Sequence, residues 1–324
     1  MTKKRLVWLL VVIIIIFFIV RSFWTSQLSQ VSSDQTPKDF VIAKGESFSS
    51  VLARLDEEDL IKSPLFFNIY GRLSGSIDRI QAGSFPLSPS MNAQEILKEI
   101  TGQPEDLWAT FLEGWRVEEM AQKLNQEFRI QNSEFLKVAK EGYMFPDTYL
   151  FPKDYTPGQI AQKLMDTFEE RYDEELRSKI RNQGLTEDEG VILASIVERE
   201  ARSDKARTEI AAILLKRLKI GMGLNADATL QYILVPQGSE SPPAGGWWTK
   251  YLTNEDKKID SPYNTYRYKG LPPKPIANPS LSSLQAVANA DPNTPYLYYY
   301  HDSEGNSYYA KTLEEHSANV VNHP

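Results

Sequence analysis

Residues 6–20 form an unbroken apolar run behind Lys3, Lys4 and Arg5, and a stretch of that kind must leave water. As a helix, residues 6–24 span about 28 Å, close to the hydrocarbon thickness of a bilayer. Arg21 can snorkel, and Phe23 and Trp24 suit the membrane interface. A cleaved signal peptide is the competing reading. No small-x-small cleavage site follows the core, however, because Arg21, Phe23 and Trp24 occupy that region. A retained single-pass anchor is therefore expected over residues 1–24. The basic flank places the N-terminus in the cytoplasm and everything after the anchor outside.

With 324 residues, the chain has room for two domains beyond the anchor. A hydrophobic content of 41% and a charged content of 24% suit a mainly globular protein. The net charge of −7 argues against a nucleic-acid partner but does not oppose a neutral or mixed-charge polymer such as a glycan. There is no cysteine, which excludes disulfides, thiolate metal sites and cysteine nucleophiles. His301, His316 and His323 all lie near the C-terminus and none sits in an HExxH pattern, so neither a metal nor a cofactor is expected.

The order of signals predicts an α+β fold. Residues 25–38, rich in Ser, Gln, Thr and Asp, suit a flexible linker. Residues 39–102 alternate short strands (40–42 and 82–87) with helices opened by Ser47, by Ser63-Pro64 and by Asn92 with Glu95. Residues 103–157 are expected as a connector, with 113–115 and 142–149 forming a buried aromatic cluster. Residues 158–324 make a mainly helical domain. One long amphipathic helix is predicted over 158–182 and a third helix over 204–220. A loop-rich stretch should follow residue 223, then a helix over 282–290 and a β-hairpin around residues 303–306.

Between the first and third of these helices, Thr186 and Glu189 make a capping box, so a helix should start there. It carries the apolar run from Val191 and ends in Glu198 and Glu200. Leu193, Ile196 and Val197 lie seven, four and three residues before Glu200, which puts Glu200 on the apolar stripe. Glu198 points the other way and would also make an ordinary i, i+4 pair with Arg202. A carboxyl at the end of an apolar stripe is poorly solvated, which favours its neutral form. That is the form a general acid needs at neutral pH.

No GxSxG, Walker A or dinucleotide fingerprint is present. What remains is carboxylate chemistry among Tyr, Asn, Thr and Trp, a combination suited to sugars. Asp227, Asp147 and Asp260 are possible second acids, and the spacing selects none of them. A one-acid route exists if the nucleophile is the substrate's own hydroxyl, as in muramic acid closing to a 1,6-anhydro ring.

Several motifs in order carry a resemblance. They are Ala-Ser-Ile-Val-Glu-Arg-Glu-Ala at 194–201, Arg217-Leu218, Leu-Asn-Ala-Asp-Ala-Thr at 224–229, and Glu-Gly-Tyr-Met-Phe-Pro-Asp-Thr-Tyr at 141–149. To these are added Tyr-Asn-Thr-Tyr at 263–266, Gly-Leu-Pro-Pro at 270–273 and Ile-Ala-Asn-Pro at 276–279. Together they resemble the MltG (YceG-like) endolytic murein transglycosylases over nearly the whole chain. The resemblance implies a LysM-like module over 39–102 and a lysozyme-like catalytic domain. The implied reaction cuts MurNAc–GlcNAc bonds inside peptidoglycan strands and leaves 1,6-anhydroMurNAc ends. Glu200 maps to the family's catalytic Glu. Tyr263, Asn264, Tyr266, Asp227 and Glu198 are the expected substrate contacts. Peptidoglycan synthases are implied neighbours. A hydrolytic muramidase and a non-catalytic wall-binding scaffold remain alternatives. Ala201 departs from the family pattern, and the Trp247–Trp248 pair has no role in these motifs.

Overall fold

The computed structural model describes residues 3–201 and 203–323. The chain divides into two compact units, Met1–Trp108 with Leu150–Asp154, and Ala109–Tyr149 with Tyr155–Pro324. Helix and sheet are mixed, in keeping with an α+β fold.

The first unit opens with α1 (Lys3–Gln27). Its window Leu10–Gln27 has a mean hydropathy of 2.0 and none of it is buried. Among the described residues it is the one helix long and apolar enough to cross a membrane. At its far end Phe23 and Trp24 meet the Phe66 ring edge-on, and Leu28 is buried. Within residues 25–38, the N–H groups of Val31 and Ser32 donate to Pro89 O at 3.0 Å, and Ser90 N–H donates to Asp34 O at 3.0 Å.

The rest of this unit is β1 (Lys38–Ile42), α2 (Phe48–Glu57), α3 (Pro64–Leu73), β2 (Gly83–Leu87) and α4 (Ala93–Ile100). It is completed by β3 (Asp106–Thr110) up to Trp108 and by β4 (Thr148–Pro152) from Leu150. The sheet order is β1-β2-β3-β4, and β1 runs antiparallel to β2 with Phe40 opposite Phe85. The caps read from sequence form as expected. Ser47 accepts from Ser50 N–H, and Asn92 and Glu95 close a capping box. Phe40, Leu55, Phe67, Phe85, Ile96 and Ile100 are fully enclosed between sheet and helices.

The second unit contains α5 (Val117–Phe128), α6 (Asn132–Leu136), α7 (Pro157–Arg171), α8 (Glu174–Asn182), α9 (Glu187–Glu200), α10 (Asp204–Lys219), α11 (Asp227–Leu234) and α12 (Leu281–Ala288). It ends with β5 (Tyr298–His301), β6 (Ser307–Ala310) and α13 (Leu313–Asn322). β5 and β6 pair antiparallel, Tyr299 opposite Tyr309. The single helix predicted over 158–182 is in fact two. The chain breaks at Tyr172, and Asp173 caps α8 by accepting from Leu176 N–H at 2.9 Å. The apolar period continues through the break, so periodicity alone hides it. The loop expected after residue 223 contains α11, another correction.

Helix α9 is the centre of this unit. Every residue from Gly190 to Glu198 is buried, because α8, α10, α11 and α12 all pack around it. Three separated motifs meet on Asn278. Its Oδ1 accepts from the N–H groups of Gly142 and Met144, and its Nδ2 donates to Trp115 O and Glu141 Oε1, all at 2.9 Å. Gly142 sits at φ +89°, and a Cβ there would fall 2.4 Å from the Pro275 ring, so only glycine fits. Met144, Phe145 and Tyr149 are buried beside it.

Candidate active site

Glu200 is the last residue of α9, and Ala201 turns the chain into extended conformation immediately after it. This lets the side chain leave the helix bundle at its rim, where it is partly buried. Oε1 accepts from Ala228 N–H at 3.2 Å, and Oε2 accepts from the Tyr299 hydroxyl at 3.1 Å. Burial raises the carboxyl to about 7, and the Asp227 charge adds to the effect. The Ala228 N–H, Tyr299 and Arg199 pull it partway back down. The group is thus divided between acid and carboxylate near neutral pH, and it can both give and take a proton.

The Ala228 contact has a second consequence. The first residues of α11 have no side-chain cap of their own, since the cap position is Ala226. Glu200 supplies the acceptor from across the fold, as a carboxylate at a helix N-terminus does. Thr265 completes the anchorage, its Oγ1 accepting from Ala226 N–H at 3.0 Å and bonding Thr229 Oγ1 at 2.9 Å.

The predicted contact residues separate into groups. Asp227, at the exposed start of α11, accepts from the Tyr266 hydroxyl at 2.6 Å, and its charge reaches Glu200. Those two residues stand with Glu200. Tyr263 lies one turn of α11 away, its ring 5.2 Å from that of Tyr232. Asn264 is fully buried. Its Nδ2 donates to Lys257 O and Ile259 O, and its Oδ1 accepts from Tyr266 N–H, so it shapes the turn from inside. Of the other acids weighed, Asp260 accepts from the Tyr268 hydroxyl and lies beside Arg267, while Asp147 is exposed and accepts from Thr148 N–H.

Glu198 is turned inward. It accepts from Arg207 Nη2 at 2.9 Å, from the N–H and hydroxyl of Ser280, and from the Ser283 hydroxyl at 2.7 Å. Burial alone would raise this carboxyl, but the Ser280 and Ser283 bonds and the Arg207 charge hold it below the ordinary value. Helical spacing puts Glu198 on a face opposite Glu200. Because α9 is enclosed on all sides, that face is interior as well. Arg202, the pair partner considered from sequence, lies outside the described residues.

Arg199 links the Trp pair to this region. Its guanidinium sits 3.8 Å from the centroid of the Trp248 ring and donates to Gly114 O at 3.3 Å. Trp248 Nε1 donates to Glu119 Oε2 at 2.9 Å, and the buried Trp247 donates to Gln122 Oε1 at 3.1 Å.

Tyr299 is the site residue that sequence reasoning missed. It lies in a run of five residues containing four tyrosines, and only strand alternation with the hairpin in place decides which one faces the acid. Arg217 secures that strand, donating from Nε to Leu297 O and from Nη1 to Leu224 O, each at 2.7 Å. Tyr299→Phe removes a donor that favours the ionised form. It should move the Glu200 carboxyl upward by roughly 0.5–1 pH unit, a lost hydrogen bond of about 1 kcal/mol. A carbon-13 titration of the Glu200 side chain measures this, and an unmoved midpoint would exclude Tyr299 as its ligand.

The comparisons with known proteins agree with one another. The profile described as the YceG-like family matches residues 40–322. A protein named endolytic murein transglycosylase from Bacillus subtilis (strain 168) is 30% identical over 324 residues, covering 90% of this chain and 86% of that protein. One of the same name from Streptococcus pneumoniae serotype 2 (strain D39) is 28% identical over 336 residues. This chain covers 59% of that longer relative, and the match takes in 90% of this chain. A crystal structure of a yceG-like protein from Listeria monocytogenes superposes with a TM-score of 0.60 at 26% identity, covering 88% of this chain and 99% of that one.

Proposed function

We propose, from the premise that this chain belongs to the YceG-like family, that it is a membrane-anchored endolytic lytic transglycosylase of peptidoglycan. The observation that carries the reading is Glu200, a partly buried carboxyl raised to about 7 and oriented by the Ala228 N–H and the Tyr299 hydroxyl.

In the proposed reaction, neutral Glu200 gives its proton to the oxygen linking MurNAc C1 to GlcNAc C4. The C1–O bond breaks and the GlcNAc residue leaves with a free 4-hydroxyl. The resulting Glu200 carboxylate takes the proton from the 6-hydroxyl of the same MurNAc. The 6-oxygen bonds to C1, giving the 1,6-anhydro ring and restoring the acid. No water is consumed. The internal nucleophile gains an effective molarity of about 10⁵ M or more when well oriented. Asp227 and Tyr266, paired beside Glu200, are the side chains assigned to sugar hydroxyls in this scheme. The nucleophile is what separates this scheme from hydrolysis: the 6-hydroxyl of the same sugar takes the place of water.

The wider organisation is part of the same proposal. Residues 1–24 anchor the protein with the N-terminus in the cytoplasm, and 25–38 link the anchor to a LysM-like wall-binding module over 39–102. Residues 103–157 lead from that module into a lysozyme-like catalytic domain over 158–324, and they supply strands to the first unit and helices to the second. The substrate is glycan strand outside the membrane, in the neighbourhood of the synthases that polymerise it.

Mass analysis of products from purified, peptide-free glycan strands tests the reading. Ends lighter by one water than reducing ends are the expected outcome. Reducing ends alone would turn the assignment to a hydrolytic muramidase, and no new ends at high protein concentration would leave a wall-binding scaffold.

A further inference from the structure

We propose that a cleft on the second unit, apart from Glu200, is a saccharide subsite for the same strand, which rests on the glycan-cleaving reading above. The cleft has a volume of about 450 Å³, within the range of small-ligand sites. Tyr232, Tyr263, Gln237, Glu141, Tyr143 and Lys274 are among its lining residues.

Two elements tie this cleft to Glu200. On α11, Ala228 N–H bonds Glu200, and Tyr232, one helical turn or about 6 Å further on, lines the cleft. In the turn carrying 263–266, Tyr266 bonds Asp227 beside the acid, while Tyr263 lines the cleft. Both elements span the distance from the acid to the cleft, which is the ground for assigning the cleft to further residues of a strand held at Glu200.

The lining has the chemistry of a sugar site. Tyr263 is partly exposed and is backed by Tyr232, so it presents an aromatic face on a firm support. Gln237, exposed at the edge, donates to the Tyr232 hydroxyl at 3.1 Å. Glu141 accepts from Asn278 Nδ2 at 2.9 Å and Val117 N–H at 3.4 Å. Burial, with the Glu118 charge, holds its carboxyl well above the ordinary value. Glu118 and Asp188 share the lining with Lys140 and Lys274, so the wall carries both signs of charge. Aromatic faces, an amide and a hydrogen-bonding carboxyl together suit hydroxyl and N-acetyl groups.

Calorimetry on the full-length Glu200→Gln protein in detergent, titrated with peptide-free GlcNAc–MurNAc tetrasaccharide, tests this. Binding weakened tenfold or more by Tyr263→Ala, and separately by Gln237→Ala, is the expected result. The exposed position of Gln237 makes that second variant informative even if Tyr263→Ala folds poorly. Affinity unchanged in folded Gln237→Ala and Tyr263→Ala proteins, or no saccharide binding at all, overturns the subsite. The two proposals fail separately. Strand cleavage with cleft-independent binding removes only the subsite, whereas cleft-dependent binding by a chain that never cleaves strands removes only the catalytic reading.

Discussion

Glu200→Gln is expected to lower kcat on glycan strands by about 10³-fold, the loss that follows removal of a general acid and base. The amide keeps the shape of the neutral carboxyl, and its oxygen can still accept from Ala228 N–H or Tyr299, so α11 stays anchored. Stability should not fall. The wild-type carboxyl is raised to about 7, which means that folding disfavours its charged form. That destabilisation begins as pH rises above the unfolded value near 4.5 and is complete above about 7. Glutamine has no such titration, so at pH 8 the variant should unfold at a temperature equal to or higher than wild type. Steady-state kinetics with thermal unfolding at pH 5 and pH 8 check both parts. A kcat within tenfold of wild type would remove Glu200 from the mechanism.

Glu198→Ala, two residues away, should behave in the opposite manner. Its carboxylate gathers Arg207, Ser280 and Ser283 inside the unit. Removing it leaves two buried hydroxyls without their acceptor and Arg207 with only Asp204 and the more distant Glu113, a loss of about 2–3 kcal/mol. Because this carboxyl lies below its ordinary value, its stabilisation is present above pH 4.5 and disappears as pH falls through the folded value. The gap between wild type and variant in denaturant unfolding should therefore be widest near neutrality and narrow in acid. A variant unfolding like wild type at pH 7 would mean that Glu198 does not hold α9 to α12.

These two acids show how far sequence reasoning reaches. Helical spacing selected Glu200 as the poorly solvated acid, and its raised carboxyl agrees. The same spacing treated Glu198 as lying on an opposite face, which would be solvated only if α9 had a solvent side. Asn264 shows the same limit. The resemblance offers it as a sugar contact, and the fold turns its amide N–H groups to carbonyls within its own turn. The break between α7 and α8 was hidden by an apolar period that runs through it.

Local chemistry in the chain specified the apolar first helix, the caps at Ser47, Asn92 and Thr186, and the placement of Glu200 at the end of a greasy helix. Each depends on residues in one uninterrupted stretch of chain, so each is written in a single string of letters. The site itself is assembled from afar. Glu200 meets a backbone N–H 28 residues away and a hydroxyl 99 residues away. The acid also caps a helix that has no cap in its own sequence. Neither the start of α11 nor the tyrosine facing the acid exists as a local signal, because packing brings both to Glu200, and only packing removes enough water to keep its proton near neutral pH.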